Sequence, residues 1–341
     1  MEGGTRMKNA SIGRHLLQVT LASAFRDDGP KRAFRNLVEL GEKFAAGRQR
    51  AFFAAVREML RRDSSVYYLL WERIVRDTDH DCLQTFGINV GYNGCTAGAR
   101  TLRDNERANH CGIPSVLDAC YNGREMDGRA LEGLLRQGEK LGIYTYIVDY
   151  RGGDVGTLAG VLTGHRDAGF IVLTGDCALT EPNVSRLTAR KNVMLAVSAD
   201  SGGFERTCAA LRAAHALYCV YARYDETRAR EILAGGFAER LGACSGSFVL
   251  LLPEDSVDMR VSEEVGAFAA ASRCEQRWPF VLMDLREDLI EINRNIARSG
   301  CFVRFDADGQ LVTQKGRTAE PSLNIRAISL LDIFRRSLVL E

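Results

Sequence analysis

Hydrophobic positions along this chain alternate between two spacings, and the alternation predicts the architecture. Leu131, Leu134, Leu135 and Leu141 recur close to every 3.6 residues with charged positions between them, which predicts an amphipathic helix. Gly142 stands where a helix C-cap belongs. Ile143 to Tyr150 is then a short apolar run rich in β-branched and aromatic residues, as in a strand covered on both faces. The unit recurs. Further strands are expected at 169–174, 193–198, 217–221, 247–252 and 280–283, and helices at 155–167, 181–190, 204–214, 226–241, 262–274 and 285–299. Some five to seven strand–helix units about 25–30 residues apart call for a parallel sheet wrapped by helices, a partial or full barrel.

The two ends read differently. Residues 1–30 have weak periodicity and the breaks Gly3-Gly4 and Gly29-Pro30, so a loose lead-in with one short helix is expected. From 31 to 77 the pattern is helical, in three segments marked by Phe34 and Leu37, by Phe52 and Val56, and by Leu70 and Ile74. Leu83 to Asn93, punctuated by Gly87 and Gly91, reads as a turn or short strand, 96–109 as a helix and 113–117 as a strand. Cys301 to Thr313 alternates, turns at Ala307-Asp308-Gly309 and returns, a hairpin signal, before a last helix from Ser329 to about Val339. The expected division is a lead-in at 1–30, a helical extension at 31–111, a barrel at 112–299, and a hairpin with terminal helix at 300–341.

Composition adds little to this picture, but charge and cysteine usage narrow the function classes. The 45 basic and 44 acidic residues leave a net charge of +1, which argues against nucleic acid as a bulk partner. The local arginine cluster at 32, 35, 48, 50, 57, 61 and 62 reads as a solvated helix face. No apolar run approaches the roughly 18 residues of a membrane span. Residues 15–21 are too broken by polar positions for a signal peptide, so the cytoplasm is the expected location. The 10 cysteines form no C-x-x-C pair and no zinc-finger spacing with histidine, and read as buried small hydrophobes.

The chemistry-bearing stretch is Arg151-Gly152-Gly153-Asp154. It places a bare backbone and a carboxylate at the carboxyl end of a strand, where α/β folds bind ligands. Asp149, Asp154, Asp176 and Asp200 would all stand near strand ends, as a metal or acid–base cluster or simply as solvated acids. His165 and His215 read as helix-surface or packing residues. Cys244-Ser245-Gly246-Ser247 has a nucleophile's residue types without the G-x-S-x-G spacing.

Taken together, these motifs resemble the radical S-adenosylmethionine (radical SAM) superfamily, and within it members with a C-terminal extension of the SPASM type. Gly138-Glu139-Lys140-Leu141-Gly142-Ile143 resembles the family's GKELGI helix end, and Gly152-Gly153-Asp154 its GGE element, which helps bind the methionine end of S-adenosylmethionine. Thr174-Gly175-Asp176 stands at the end of the next strand, and Ser198 with Asp200 at the end of the one after. Gly300-Cys301, the Asp308-Gly309 hairpin, Ser322-Leu323-Asn324-Ile325-Arg326 and Ser329-Leu330-Leu331 follow the extension in order. The resemblance covers roughly residues 112–341. It implies an α/β partial (β/α) TIM-like barrel with an N-terminal helical extension and a C-terminal hairpin.

The departures from that family bear on function. Its C-x-x-x-C-x-x-C loop belongs after the first strand, where this chain has Leu117-Asp118-Ala119-Cys120-Tyr121-Asn122-Gly123-Arg124. Cys120 is one thiolate where a [4Fe–4S] cluster open to S-adenosylmethionine takes three. In the extension, Cys301 remains while Thr313-Gln314 replaces the hairpin's terminal Pro-Cys. The implied reading is a pseudoenzyme with no resident cofactor and no metal site. Gly152, Gly153, Asp154, Ser198 and Asp200 would form a residual site open to S-adenosylmethionine. Its partner would be an active paralogous radical SAM enzyme or that enzyme's peptide or protein substrate, with neither nucleic acid nor membrane involved. Two alternatives stay open: reassigned, cluster-independent chemistry at the barrel's carboxyl end, and an atypical iron–sulfur enzyme using scattered thiols such as Cys95, Cys111 and Cys120.

Overall fold

The computed structural model describes residues 18–22, 29–45, 47–175, 180–242, 244 and 246–340. Seven strands run parallel in sequence order: β1 (Val116–Tyr121), β2 (Thr145–Tyr150), β3 (Gly169–Leu173), β4 (Val193–Ser198), β5 (Tyr218–Tyr224), β6 (Phe248–Pro253) and β7 (Val281–Asp284). Each crossover is helical, as parallel neighbours require. The tail strand β8 (Val303–Phe305) pairs parallel with β1, and β9 (Leu311–Thr313) and β10 (Gly316–Arg317) continue the sheet antiparallel. Among the described residues the result is one ten-stranded sheet in the order β10-β9-β8-β1-β2-β3-β4-β5-β6-β7.

Side-chain contacts show that this sheet curls into a partial barrel. Strands β2 and β5 are three intervals apart, roughly 14 Å in a flat sheet at about 4.8 Å per interval. Yet Arg223 on β5 reaches Asp149 on β2 at 2.9 Å. Arg304 on β8 likewise meets Asp255, just beyond β6, at 2.6 Å. Side chains alternate across the curl. Leu117, Val148, Phe170, Val172, Leu195 and Val220 face outward into the main core beneath the wrapping helices. Val116, Ile147, Leu173, Met194, Ala196, Cys219 and Leu250 face inward.

The amino ends of the strands are closed by helices. Cys82 and Phe86 of helix His80–Gly87, with Leu285 and Leu289 of helix Leu285–Ile296, pack into the inner cluster. The segment expected to be a turn or strand at 83–93 is instead the end of that helix followed by a π-helix, Ile88–Gly98. Tertiary contacts override its glycine punctuation. Buried Asn89 donates to the carbonyls of Arg166 and Ala168, and Asn93 to that of Asp167. At Gly98 a Cβ would lie 2.5 Å from the Gly142 carbonyl oxygen.

Helices Pro30–Phe44, Arg48–Met59 and Val66–Asp77 form a separate small core around Val38, Leu60 and Tyr68. They dock at the amino side of β6 and β7, where Arg73 donates to the carbonyls of Gly246 and Pro279. The extension therefore lies at the opposite end of the sheet from the strands' carboxyl mouth. The helix expected at 226–241 is two, Glu226–Leu233 and Gly236–Gly242, divided at Gly235 with φ +89°. The tail hairpin forms as expected: Asp306 Oδ1 accepts from Asp308 N and Gln310 N, and Gly309 takes φ +82°. The last helix, Leu330–Ser337, buries Leu330, Ile333 and Phe334 and is anchored by Leu330 N donating to Gln137. No helix among the described residues is long and apolar enough to cross a membrane.

Candidate functional site

The site is built where β1 and β2 end inside the curl. The first strand begins later than its sequence suggests, at Val116 rather than Ile113, so Cys120 lies within it rather than in a loop. Alternation turns Asp118 and Cys120 inward, and on β2 it does the same to Asp149, with Arg151 just beyond. Arg223 enters from β5 and Arg304 from β8, directly beside Asp118 in the parallel pairing.

These groups make an ion-pair layer across the mouth. Asp149 Oδ2 accepts from Arg151 Nε at 2.9 Å and from Arg223 Nη2 at 2.9 Å. Arg304 Nη2 holds both carboxylate oxygens of Asp255, at 2.6 and 2.8 Å. Asp118 is 4% exposed, and among the described residues its Oδ1 has no hydrogen-bond partner. The same holds for Asp149 Oδ1 and Arg304 Nε. Burial pushes the Asp118 carboxyl up to about 7, with Arg304 pulling back and Asp149 adding to the rise. Burial and then Asp149 push the Cys120 thiol up to about 12, so at neutral pH it is a thiol and not a thiolate.

The loop after β1 is short and closes on itself. Asn122 Oδ1 accepts from Arg124 N and Met126 N, while the backbone N–H groups of Asn122 and Gly123 donate to the Met126 carbonyl. Asp127 then caps helix Gly128–Leu141 through Ala130 N. This loop packs on the glycine pair after β2. A Cβ on Gly123 would sit 2.5 Å from Gly153 Cα, and Gly152 and Gly153 take φ of +140° and +95°. Their glycine identity is therefore required by close backbone approach and left-handed geometry. Asp154 is exposed and caps the next helix, Val155–Gly164, accepting from Thr157 N at 2.6 Å and Thr157 Oγ1 at 2.8 Å. Those bonds hold its carboxyl below the usual range.

The remaining sequence candidates separate. Ser198 is buried on β4 and accepts from Asp200 N at 3.3 Å, whereas Asp200 pairs with Arg228 at 2.9 Å. Asp176 and Cys177 lie outside the described residues. An acid cluster of Asp149, Asp154 and Asp200 is thus corrected: the first is ion-paired inside the curl, the second caps a helix, and the third pairs with an arginine. Among the described residues no three His, Cys, Asp or Glu side chains gather as metal ligands. Cys95 lies in the π-helix at the amino end, and Cys111 bridges to Val339. Cys301 is buried in the outer core, its carbonyl accepting from Asn293 Nδ2 at 2.6 Å. None of these three meets Cys120.

His165, expected as a surface or packing residue, is a buried hub. Its Nδ1 lies 2.8 Å from Glu139 and its Nε2 3.0 Å from Glu132. Burial opposes protonation, but the two carboxylates outweigh it and hold the imidazole above its usual value. Sequence reasoning missed Asp118, Arg223 and Arg304. One signal was available for Asp118, since an acid inside an otherwise apolar buried strand needs a compensating partner.

No family model matches the chain. No curated protein matches it either. Among solved structures it is similar to SuiB of Streptococcus suis, at 12% identity and TM-score 0.50, over 72% of this chain and 71% of that one. It is also similar to SuiB bound to S-adenosylmethionine, at 10% identity and TM-score 0.49, over 72% and 69%. At this identity the likeness speaks to fold alone, the partial barrel of radical SAM enzymes.

Proposed function

We propose that this chain is a catalytically degenerate radical SAM-like protein, a non-catalytic partner of an active radical SAM enzyme or a subunit that binds that enzyme's peptide or protein substrate. The observation that carries the reading is the closed six-residue turn from Asn122 to Asp127, which joins β1 to its helix without a cysteine. A [4Fe–4S] cluster open to S-adenosylmethionine takes three thiolates, and the residues present do not fit it. Cys120 is held as a thiol, and Cys95, Cys111 and Cys301 stand elsewhere. Asp154 spends its carboxylate on Thr157 rather than on a ligand. With the fold otherwise complete, its outer surfaces remain for binding proteins, in the cytoplasm.

Anaerobic reconstitution with iron and sulfide, followed by iron counting and titration with S-adenosylmethionine, tests this directly. The expected result is iron well below one cluster per chain, no S-adenosylmethionine cleavage, and co-purification with a paralogue that carries the cysteine motif. Stoichiometric [4Fe–4S] uptake with cleavage overturns it. A second reading, an enzyme with cluster-independent chemistry, is favoured by Asp118, whose value near 7 suits proton transfer.

A further inference from the structure

The arginine cluster that reads from sequence as a solvated helix face gathers around a cleft. The cleft, of about 440 Å³, lies between helices Pro30–Phe44 and Arg48–Met59. Arg35, Val38 and Glu39 line it from the first helix, and Arg57, Glu58, Leu60 and Arg61 from the second and its end. Val38 and Leu60 are buried and form an apolar floor. Arg35 is fixed in place, its Nε donating to Tyr68 Oη at 2.6 Å and its Nη2 to Asp63 at 2.5 Å. Arg57 and Arg61 meet Glu42 and Glu58 at 3.2 and 3.0 Å, yet remain 54% and 73% exposed. Pairs this exposed are worth about 0–1 kcal/mol and exchange readily for another carboxylate.

The surroundings are basic. Residues 30–65 carry nine basic and four acidic side chains, a local +5 in a chain whose net charge is +1. Exposed Arg50, seven residues before Arg57, shares its face of the helix. Exposed Arg32 and Lys43, seven before and four after Glu39, share the corresponding face of the other helix. Cations therefore extend the rim of the cleft along both helices, interrupted by Glu39, Glu42 and Glu58. A nucleic acid backbone, charged at every step, meets those carboxylates as well as the arginines. A peptide can set its own carboxylates against the guanidinium groups and uncharged residues elsewhere. We propose that this cleft docks an acidic segment of a protein partner, its carboxylates on Arg57 and Arg61 and an apolar side chain over Val38 and Leu60. The proposal rests on the partner reading above and gives it a surface, at the opposite end of the sheet from the strands' carboxyl mouth.

Fluorescence anisotropy of the full-length chain with a labelled peptide of alternating glutamate and leucine tests the proposal. The glutamate peptide should bind, and its glutamine counterpart should bind at least about tenfold more weakly. Reversing two exposed charges together, Arg57→Glu with Arg61→Glu, should weaken binding by about tenfold or more while the circular dichroism of the parent is kept. Glu39→Lys removes a carboxylate from the rim and should tighten binding about two- to fivefold, which keeps the test available if the double reversal does not fold. No binding, equal binding of the glutamine peptide, or unchanged affinity in a folded variant overturns the proposal. Tighter binding of a single-stranded DNA of equal charge overturns it as well. Co-purification of the paralogue that persists undiminished in the double variant overturns this surface and leaves the partner reading in place. Stoichiometric cluster uptake would overturn that reading without changing these titrations.

Discussion

Asp118 offers the sharpest stability test, because its environment raises the carboxyl from 3.8 to about 7 with burial as the largest cause. The folded chain therefore holds a proton on Asp118 that the unfolded chain has already released between about pH 4 and about pH 7. Stability is lost as pH rises through that window, and above it the full penalty applies. At about 1.4 kcal/mol per pH unit, a rise of about three units is worth on the order of 4 kcal/mol. Asp118→Asn keeps the shape and removes the ionisation. An asparagine amide brings its own unmet bonds, but that cost is the same at every pH. The diagnostic is thus the change with pH. Relative to the parent protein, Asp118→Asn should gain about 2–4 kcal/mol between pH 5 and pH 8. Urea unfolding followed by circular dichroism at the two pH values measures it. A difference between variant and parent that stays constant with pH would refute the argument, because it would mean that Asp118 ionises as readily folded as unfolded.

Four further outcomes follow from other elements of the fold. His165, raised by Glu139 and Glu132 against its own burial, contributes stability that is fully present below about pH 6.5 and is lost as pH rises through its folded value. His165→Gln should therefore cost more at pH 6 than at pH 9, and nitrogen NMR should find the folded ring titrating above a free imidazole. Asn293 is fully buried and ties Ser115 N, Ser115 Oγ and the Cys301 carbonyl together, so Asn293→Ala should cost about 2–4 kcal/mol in the same unfolding assay. Gly123→Ala puts a Cβ onto Gly153 Cα at φ +68° and should lower stability by about 1–3 kcal/mol. Gly235→Ala, with φ +89° but nothing within 4 Å, should cost only the smaller backbone term of about 1 kcal/mol.

What the sequence alone determined is the order and kind of the repeating elements. Helix and strand in 112–299 follow from local spacing, and local spacing is present in the chain before it folds. The hairpin at Asp308-Gly309 is local in the same way, since its turn chemistry lies within a few residues. The Gly-punctuated segment at 83–93 misled, because its helical state depends on Asn89 and Asn93 reaching carbonyls more than 70 residues away. The glycine pair at 152–153 was legible as special but not for its reason, which is the approach of Gly123 from another loop. The site itself belongs to tertiary structure. Asp149 and Arg223 lie 74 residues apart and three strands apart, and only the curl of the sheet brings them within 2.9 Å. Whether an acid at a strand end faces water, caps a helix or meets an arginine is decided by that curvature and by the alternation of side chains. Asp118, Asp149 and Asp154 are the same kind of residue near the ends of neighbouring strands, and folding gives each a different fate.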